Sequence, residues 1–190
     1  VLKRNLTEIC DFNNIFVETI IKILDKNNIP LKNQSLLTNG IQTSGNLFNY
    51  EVELTDKIKN IIHSEIENYK KSFVNSEEGF LKKFPHRYTL HAWLVSMKNG
   101  GKLDAHMHEN GWLSGSIYIN VPKKIKGDNG NLVVCIEKDY GKDKNQNVKK
   151  SINVITGNIC LFPASLLHYT VPFESEEERI VLAFDVIAKN

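Results

Sequence analysis

The feature that most constrains the fold is a change of hydrophobic period near Pro85. Before Pro85, apolar residues recur at three- and four-residue intervals, which is typical of helices. After it, short runs alternate apolar and polar residues and are separated by turn residues such as Gly100-Gly101 and Thr156-Gly157. We therefore predict a β-sandwich or barrel preceded by helices that pack against one face. The predicted strands are residues 88–97, 113–121, 131–137, 151–155, 158–162, 168–172 and 179–188.

Two helices are predicted in the first part of the chain. The apolar stripe of residues 6–27 indicates one amphipathic helix, and that of residues 55–73 indicates a second. Asp56 near the start of the second complements the helix dipole. Residues 39–48, which lie between them, are rich in turn formers and are predicted to be a structured loop or an edge hairpin.

Length and charge favour one domain that does not bind nucleic acid. A chain of 190 residues fits a single domain, 1–190, with helical support and a loop in 1–85 and a β core in 86–190. The net charge is +2, and no basic stripe with interleaved aromatic residues is present. The lysine-rich run at residues 142–150 is predicted to be a solvated loop.

Cysteine usage and hydropathy favour a cytoplasmic location. The three cysteines, Cys10, Cys135 and Cys160, are widely spaced and show no C-x-x-C pattern, which fits a reducing compartment. No apolar run approaches the length of a membrane span, and no secretory leader is visible. The chain begins at Val1, which leaves open that it is a fragment of a longer protein.

A metal-site pattern is formed by His106, His108 and His168. Histidines two apart on an extended segment project to one face, so both imidazoles of the His106–His108 pair can reach one ion. His168 opens a distant predicted strand, and a β-sandwich can bring such strand ends together. Three imidazoles suit iron, zinc, copper or nickel. The alternative is that these histidines are hydrogen-bonded structural residues.

Arg179 follows His168 at the head of the last predicted strand. In a period of two it shares a face with Val181, Ala183 and Asp185, so it could point into a barrel and bind a carboxylate through its planar guanidinium. The alternative is a surface salt bridge to a glutamate in residues 176–178.

These residues resemble the motif of the iron(II)- and 2-oxoglutarate-dependent oxygenases, in which H-x-D/E is followed by a distal histidine and then by an arginine or lysine about ten positions on. More narrowly, the chain is similar to the 2-oxoglutarate oxygenase group often found behind tetratricopeptide repeats and in phage genomes. The likeness covers most of the chain. The matching segments are Gln42-Thr43, Gly45-Asn46-Leu47, Ala92-Trp93, Gly100-Gly101, His106-Met107-His108, residues 111–119, Val121-Pro122, Phe162-Pro163, His168, residues 170–173, Arg179 and Ala183-Phe184-Asp185.

The resemblance implies a double-stranded β-helix, also called a jelly roll or cupin-like fold, packed against helices. It also implies that Fe(II) is held by His106, His168 and the residue two after His106, which here is His108 instead of the usual carboxylate. Asp104 is the reserve ligand, since it shares the period-two face with His106.

The resemblance further assigns cofactor and substrate contacts. Arg179 would bind the distal carboxylate of 2-oxoglutarate, and Ser116 and Tyr118 would offer hydroxyl groups to the same co-substrate. Trp93 would wall the substrate pocket, and Gln42 would help to frame its mouth.

The activity implied is a dioxygenase reaction that hydroxylates a small-molecule or peptidyl substrate with O2 while 2-oxoglutarate is decarboxylated to succinate. Two alternatives remain open from the residues. One is a three-histidine, cupin-like metalloenzyme that does not use 2-oxoglutarate, which the third histidine favours. The other is a non-enzymatic jelly-roll binding module in which the histidines are structural.

Overall fold

The computed structural model of the chain describes residues 1–26, 29–50, 52–136 and 148–189. These residues form ten β-strands that join into one mostly antiparallel, curled sheet. The strands are β1 (Leu2–Asn5), β2 (Leu31–Lys32), β3 (Leu37–Thr43), β4 (Tyr88–His106), β5 (Leu113–Asn120), β6 (Leu132–Ile136), β7 (Val148–Ile152), β8 (Asn158–Pro163), β9 (Leu167–Thr170) and β10 (Arg179–Ala188).

Four α-helices are described: α1 (Glu18–Asp25), α2 (Leu47–Tyr50), α3 (Val52–Ser72) and α4 (Gly79–Lys82). The second predicted helix, residues 55–73, is confirmed by α3, whose buried stripe includes Ile58, Ile62 and Ile66. In the described part of the chain, no helix is long and apolar enough to cross a membrane.

The start of the first predicted helix, residues 6–27, is wrong. Leu6–Glu8 is a 3₁₀ turn, Asn13–Val17 is a π-helical turn, and regular α-helix begins only at Glu18. The reason is that β1 pairs with β8 just before Leu6, and Asn5 then caps the 3₁₀ turn by accepting a hydrogen bond from the Thr7 N–H group. The predicted end of the helix lies outside the described residues.

The sheet is continuous because β4 belongs to both of its halves. Along the sheet the strand order is β1-β8-β5-β10-β4-β9-β6-β7. The first part of β4 pairs with β10 as far as Met97, and its last part pairs with β9 from Leu103 to His106. This one strand therefore carries the chain across the bend of a jelly roll, and the predicted fold class is confirmed.

The predicted strand break at Gly100-Gly101 is wrong, because β4 continues through it. Gly100 has a φ of +73°, and a Cβ atom on Gly101 would lie 2.7 Å from the Lys98 carbonyl oxygen. Across from this point, the pairing of β3 jumps from Gly40 opposite Met97 to Thr38 opposite Lys102. The two glycines thus form a bulge that bends the strand instead of ending it.

The turn-rich segment at residues 39–48 is partly an edge hairpin, as predicted. β3 pairs with β4 on one side and with the short β2 on the other. After β3, Asn46 bonds to β4 through its side chain, donating to the Leu90 carbonyl and accepting from the Ala92 N–H group. In the lysine-rich run, Lys149 and Lys150 belong to β7, contrary to the predicted loop, and residues 142–147 lie outside the described part.

The two faces of β10 serve different purposes. Leu182, Phe184 and Val186 point into the main hydrophobic core, which the helices cover with residues such as Phe16 and Ile62. The alternate residues line a cavity inside the curled sheet; they are Arg179, Val181, Ala183, Asp185 and Ile187. The period-two pattern of this strand therefore separates a packed face from a functional one.

Candidate functional site

The curled sheet encloses a cavity of about 480 Å³, and residues of the β2–β3 hairpin are among those that line it. Its walls come from β3, β4, β5, β9 and β10 and from the loop after β4. Such a volume fits a small organic molecule together with a cofactor-sized group. Every candidate site residue predicted from the sequence except Asp104 lines this cavity.

Three histidines meet on one wall of the cavity. His106, His108 and His168 present ligand atoms that all lie within 4.8 Å of one another, and they form a candidate metal-binding group among the described residues. His106 lies opposite His168 in the β4–β9 pairing, which brings their ring centroids to 4.3 Å. His106 ends β4, because the glycine bulge lets that strand continue, and His108 lies in the loop between β4 and β5.

The hydrogen bonds of the rings fix which nitrogen faces the cavity. His106 Nδ1 lies 2.8 Å from the Asp104 carbonyl oxygen, and His168 Nδ1 lies 3.0 Å from the Leu166 carbonyl oxygen. Because a carbonyl only accepts, each Nδ1 carries the proton and each Nε2 keeps its lone pair for a metal.

Burial keeps two of these imidazoles neutral. Burial, with a smaller contribution from the neighbouring His106, lowers the pKa of His168 to about 3. Burial also lowers the pKa of His106, although its hydrogen bond to the Asp104 carbonyl acts in the opposite direction. Neutral imidazole is the form that binds a metal, so both rings are ready to act as ligands at neutral pH.

His108 has a partner of a different kind. Its Nδ1 atom lies 2.8 Å from Asp185 Oδ1, and the Ser114 hydroxyl donates to the same oxygen at 2.6 Å. The sequence interpretation placed Asp185 on the inner face of β10 but did not assign it a role. The signal that could have found it is its even spacing from Arg179 along one strand, which directs both side chains into the same cavity.

Asp104, the reserve ligand, lies outside the group of three histidines. Its carboxylate accepts from Lys102 Nζ at 2.7 Å and is about half exposed, while its backbone carbonyl bonds to His106. In the described structure Asp104 therefore contacts the histidine site through its backbone carbonyl group, and its side chain contacts Lys102.

Arg179 is a buried cation that faces the cavity. Its side chain is only 2% exposed, and no carboxylate in the described residues forms a salt bridge with it. Nη2 makes a long hydrogen bond of 3.4 Å to the Gly130 carbonyl, and Nε has no hydrogen-bond partner. The alternative surface salt bridge to residues 176–178 is absent from this part of the structure, where Glu178 instead accepts from Ser96.

Tyr118 and Ser116 of β5 line the same cavity as Arg179. The guanidinium carbon of Arg179 lies 5.1 Å from the centre of the Tyr118 ring, within the range of a cation–π contact. Burial raises the pKa of Tyr118, and the adjacent Arg179 and Ser116 only partly oppose this. The phenol therefore stays protonated and can donate a hydrogen bond to an anion held by Arg179.

Trp93 and Gln42 both line the cavity, as predicted. The Trp93 ring stands 5.5 Å from the His108 ring, next to the metal-binding group. Gln42 lies on β3, which pairs with β4 and places Gln42 opposite Val95, and Lys32 and Gln34 also line the cavity. The sequence interpretation did not identify Lys32 and Gln34, because nothing in a two-residue strand and its turn marks them as pocket residues.

The residues present fit both Fe(II) and a dicarboxylate. Three imidazoles whose ligand atoms lie within 4.8 Å of one another form a donor set that divalent iron accepts. The unpaired Nε of a buried arginine is a donor that lacks an acceptor, and a carboxylate would supply one. Both features open into the same cavity, so one ligand could reach both.

Comparison with solved structures identifies the architecture. A Pseudomonas putida prolyl-4-hydroxylase superposes with a TM-score of 0.64 at 9% identity, covering 100% of this chain and 92% of that one. HygX from Streptomyces hygroscopicus, with nickel, 2-oxoglutarate and hygromycin B bound, gives a TM-score of 0.62 at 10% identity, covering 99% and 82% respectively. At such low identity these similarities show a shared fold. The comparison with curated proteins found no match.

The family is shown by a sequence model. Residues 91–185, which are half of the chain, match the family model described as "Putative 2OG-Fe(II) oxygenase". The matched region contains the three histidines, Arg179 and Asp185. The chain therefore belongs to the 2OG-Fe(II) oxygenases, the family whose cofactors are Fe(II) and 2-oxoglutarate.

Proposed function

We propose that the protein is a 2-oxoglutarate-dependent dioxygenase that hydroxylates a small-molecule or peptidyl substrate. The observation that carries this proposal is the position of Arg179, a buried cation with no carboxylate partner among the described residues, in the same cavity as three converging histidines. Burying an unpaired charge costs several kcal/mol or more unless a partner arrives. An anionic co-substrate that also reaches the metal would be that partner.

His106, His108 and His168 are proposed to hold the iron. When bound, Fe(II) with O2 and 2-oxoglutarate supplies the oxidising chemistry, and 2-oxoglutarate leaves as succinate and CO2. The hydrogen bonds on the Nδ1 atoms of His106 and His168 hold those rings with Nε2 turned to the cavity. These residues position the metal and leave the rest of its surroundings open to ligands.

Arg179 is proposed to bind the distal carboxylate of 2-oxoglutarate. Its planar guanidinium can form two parallel charge-assisted hydrogen bonds, which a lysine could not match in geometry. Tyr118 and Ser116 would add hydroxyl donors from β5. Buried apolar neighbours such as Val181 and Phe162 would keep water from this end of the cavity.

The substrate is proposed to bind in the part of the cavity that Trp93 and Gln42 line. Trp93 stands beside the metal-binding group, and Gln42 lies on the hairpin wall. We propose that residues 1–190 act as one domain, with residues 1–85 supporting the β core of residues 86–190. The support includes strands as well as helices, since β1 and β3 pair with β8 and β4.

The test is anaerobic titration of the Fe(II)-loaded protein with 2-oxoglutarate, followed by admission of O2. We expect a visible absorbance change on binding, and succinate formation that needs both iron and O2. His106→Ala and His168→Ala should abolish both signals. The matched control is His63→Ala, which removes an exposed histidine that hydrogen-bonds to Tyr88 and does not line the cavity. Iron binding without any 2-oxoglutarate binding would refute the proposal.

One observation favours a second candidate, a three-histidine metalloenzyme that does not use 2-oxoglutarate. His108 occupies the position where the related oxygenases carry a carboxylate, and cupin-like sites with three histidines act directly on small molecules. The same titration separates the two functions. Stoichiometric metal binding through the three histidines with no response to 2-oxoglutarate would favour this candidate.

A further inference from the structure

The three histidines differ in what holds their outer nitrogen. His106 and His168 donate to neutral backbone carbonyl groups, at 2.8 and 3.0 Å. His108 alone lies against a carboxylate, with Nδ1 2.8 Å from Asp185 Oδ1. His108 is also the residue that stands where a carboxylate ligand is usual. The position of the third metal ligand therefore lacks the usual carboxylate, but the carboxylate of Asp185 lies on the other side of the His108 ring.

We propose that Asp185 is a positioning residue that makes His108 act in place of a carboxylate ligand. This inference rests on the proposed function, since it concerns the same metal site. A carboxylate that accepts from Nδ1 fixes the tautomer with its lone pair on Nε2 and raises the basicity of that nitrogen. Three metal-bound imidazoles plus Asp185 carry the same total charge as two metal-bound imidazoles plus a carboxylate ligand.

The surroundings of Asp185 are arranged around this contact. Its side chain is buried, and within the described residues no lysine or arginine forms a salt bridge with it. Ser114 is also buried and donates its hydroxyl hydrogen to the same oxygen at 2.6 Å. A structural ion pair would use a permanent cation, whereas this carboxylate is directed at an imidazole and a hydroxyl group.

Gly111 allows the loop that carries His108 to pass close to Asp185. A Cβ atom on Gly111 would lie 3.2 Å from Asp185 Oδ1 and 2.8 Å from the Ala164 Cβ atom. The backbone of the loop is tied down by the His108 N–H bond to the Ala164 carbonyl and by the Trp112 N–H bond to the Val186 carbonyl. The loop thus fixes the backbone of His108, while Asp185 and Ser114 fix the ring.

The experiment measures Co(II) binding by visible absorbance in the metal-free full chain, without 2-oxoglutarate. Asp185→Asn keeps the size of the side chain, but its amide can donate to Nδ1 and favour the tautomer with the proton on Nε2. We expect it to weaken Co(II) binding about 10- to 100-fold and to shift the visible bands of the bound metal. Ser114→Ala, which keeps the carboxylate, should weaken binding by a smaller factor and serves as a second variant.

Repeating the substitution in a second protein, the His108→Asp variant, shows whether the effect of Asp185 acts through the His108 imidazole. In His108→Asp the ligand itself is a carboxylate, so Asp185→Asn should then leave Co(II) binding unchanged or strengthen it, because two nearby carboxylates repel. Equal weakening in both backgrounds would overturn the inference, as would unchanged binding and spectrum in folded Asp185→Asn. The matched control is Glu178→Gln, which removes an exposed carboxylate bonded to Ser96.

The outcomes distinguish a failure of the Asp185 inference from a failure of the proposed metal site. If the wild-type chain binds Co(II) through His106 and His168 but Asp185→Asn behaves as wild type, only the role of Asp185 is wrong. If the wild-type chain binds no Co(II), or if His106→Ala binds it normally, the metal site of the proposed function fails and this inference fails with it. Circular dichroism melting of each metal-free variant checks that it is folded.

Discussion

Two buried charges in this molecule are handled in opposite ways. Under the helices, the Glu65 carboxylate of α3 is 2% exposed and forms an ion pair of 3.2 Å with Arg4 of β1, whose side chain is 35% exposed. Asn68 donates a further hydrogen bond to Glu65. Inside the curled sheet, Arg179 is equally buried, yet it has no carboxylate partner in the described residues and its Nε atom is unsatisfied.

The difference separates a structural charge from a functional one. The Arg4–Glu65 pair joins a helix to the sheet and matches the charge of Glu65 within the chain, although its Oε2 atom accepts no hydrogen bond, so removing one partner should damage the fold. Arg179 is incomplete within the described chain, so removing it should damage binding instead. Replacing each of the two arginines with methionine tests this distinction, because methionine keeps the apolar part of the side chain and removes the charge.

The largest effect is expected for Arg179→Met on the binding of 2-oxoglutarate. Losing a bidentate, charge-assisted contact in a buried site should raise the dissociation constant about 100-fold, equivalent to about 2.7 kcal/mol. Isothermal titration with the iron-loaded protein under anaerobic conditions measures it. Metal affinity should change by less than about 3-fold, as expected for a residue that does not touch the metal. A parallel loss of metal and 2-oxoglutarate binding would contradict the assigned role.

A somewhat smaller effect is expected for Arg4→Met on stability. It leaves the buried Glu65 carboxylate without its cation, which should lower the free energy of unfolding by about 2 kcal/mol; the partial exposure of Arg4 keeps the loss below that of a fully buried pair. Urea denaturation measures it, with Arg179→Met as the comparison. The 2-oxoglutarate dissociation constant should stay at the wild-type value. If Arg179→Met proved the more destabilising of the two, the contrast between the charges would fail.

The smallest effect is expected for Tyr118→Phe. It keeps the ring beside the Arg179 guanidinium and removes only the hydroxyl group, so 2-oxoglutarate binding should weaken about 5-fold, as for the loss of one hydrogen bond worth about 1 kcal/mol. The same titration measures it, and Tyr69→Phe, in the core under the helices, is the matched control. A loss as large as that of Arg179→Met would mean that the phenol, and not the guanidinium, is the principal contact.

Much of the fold follows from local patterns. β10 runs from Arg179 to Ala188 as predicted, and α3 matches the second predicted helix within a few residues, because each presents one continuous apolar face to the core. The failures have a common cause. Gly100-Gly101 reads locally as a turn, but pairing with β3 and β9 on either side of the bulge keeps β4 as one strand. The segment Leu2–Asn5 became a strand only through its pairing with β8.

The residues of the candidate site likewise include some that the sequence predicted and others that it did not. The spacing of His106 and His108, and the position of Arg179 at the head of an alternating strand, were sufficient to predict residues that do line one cavity. The role of Asp185 was not predictable, because its partner His108 lies 77 positions away in the sequence. The sequence interpretation also did not identify Lys32 and Gln34 of the hairpin. They line the pocket through the tertiary arrangement of β2 and β3, which no local pattern records.

The sequence alone determined the fold class, the family and the chemical types gathered at the site, since strand alternation and motif spacing are local properties of the chain. Tertiary structure decided which charges are paired. Only the packed molecule shows that Glu65 has Arg4, that His108 has Asp185, and that Arg179 is left facing a cavity. The physical reason is that burial and pairing depend on distances between segments far apart in the sequence, which no local pattern records.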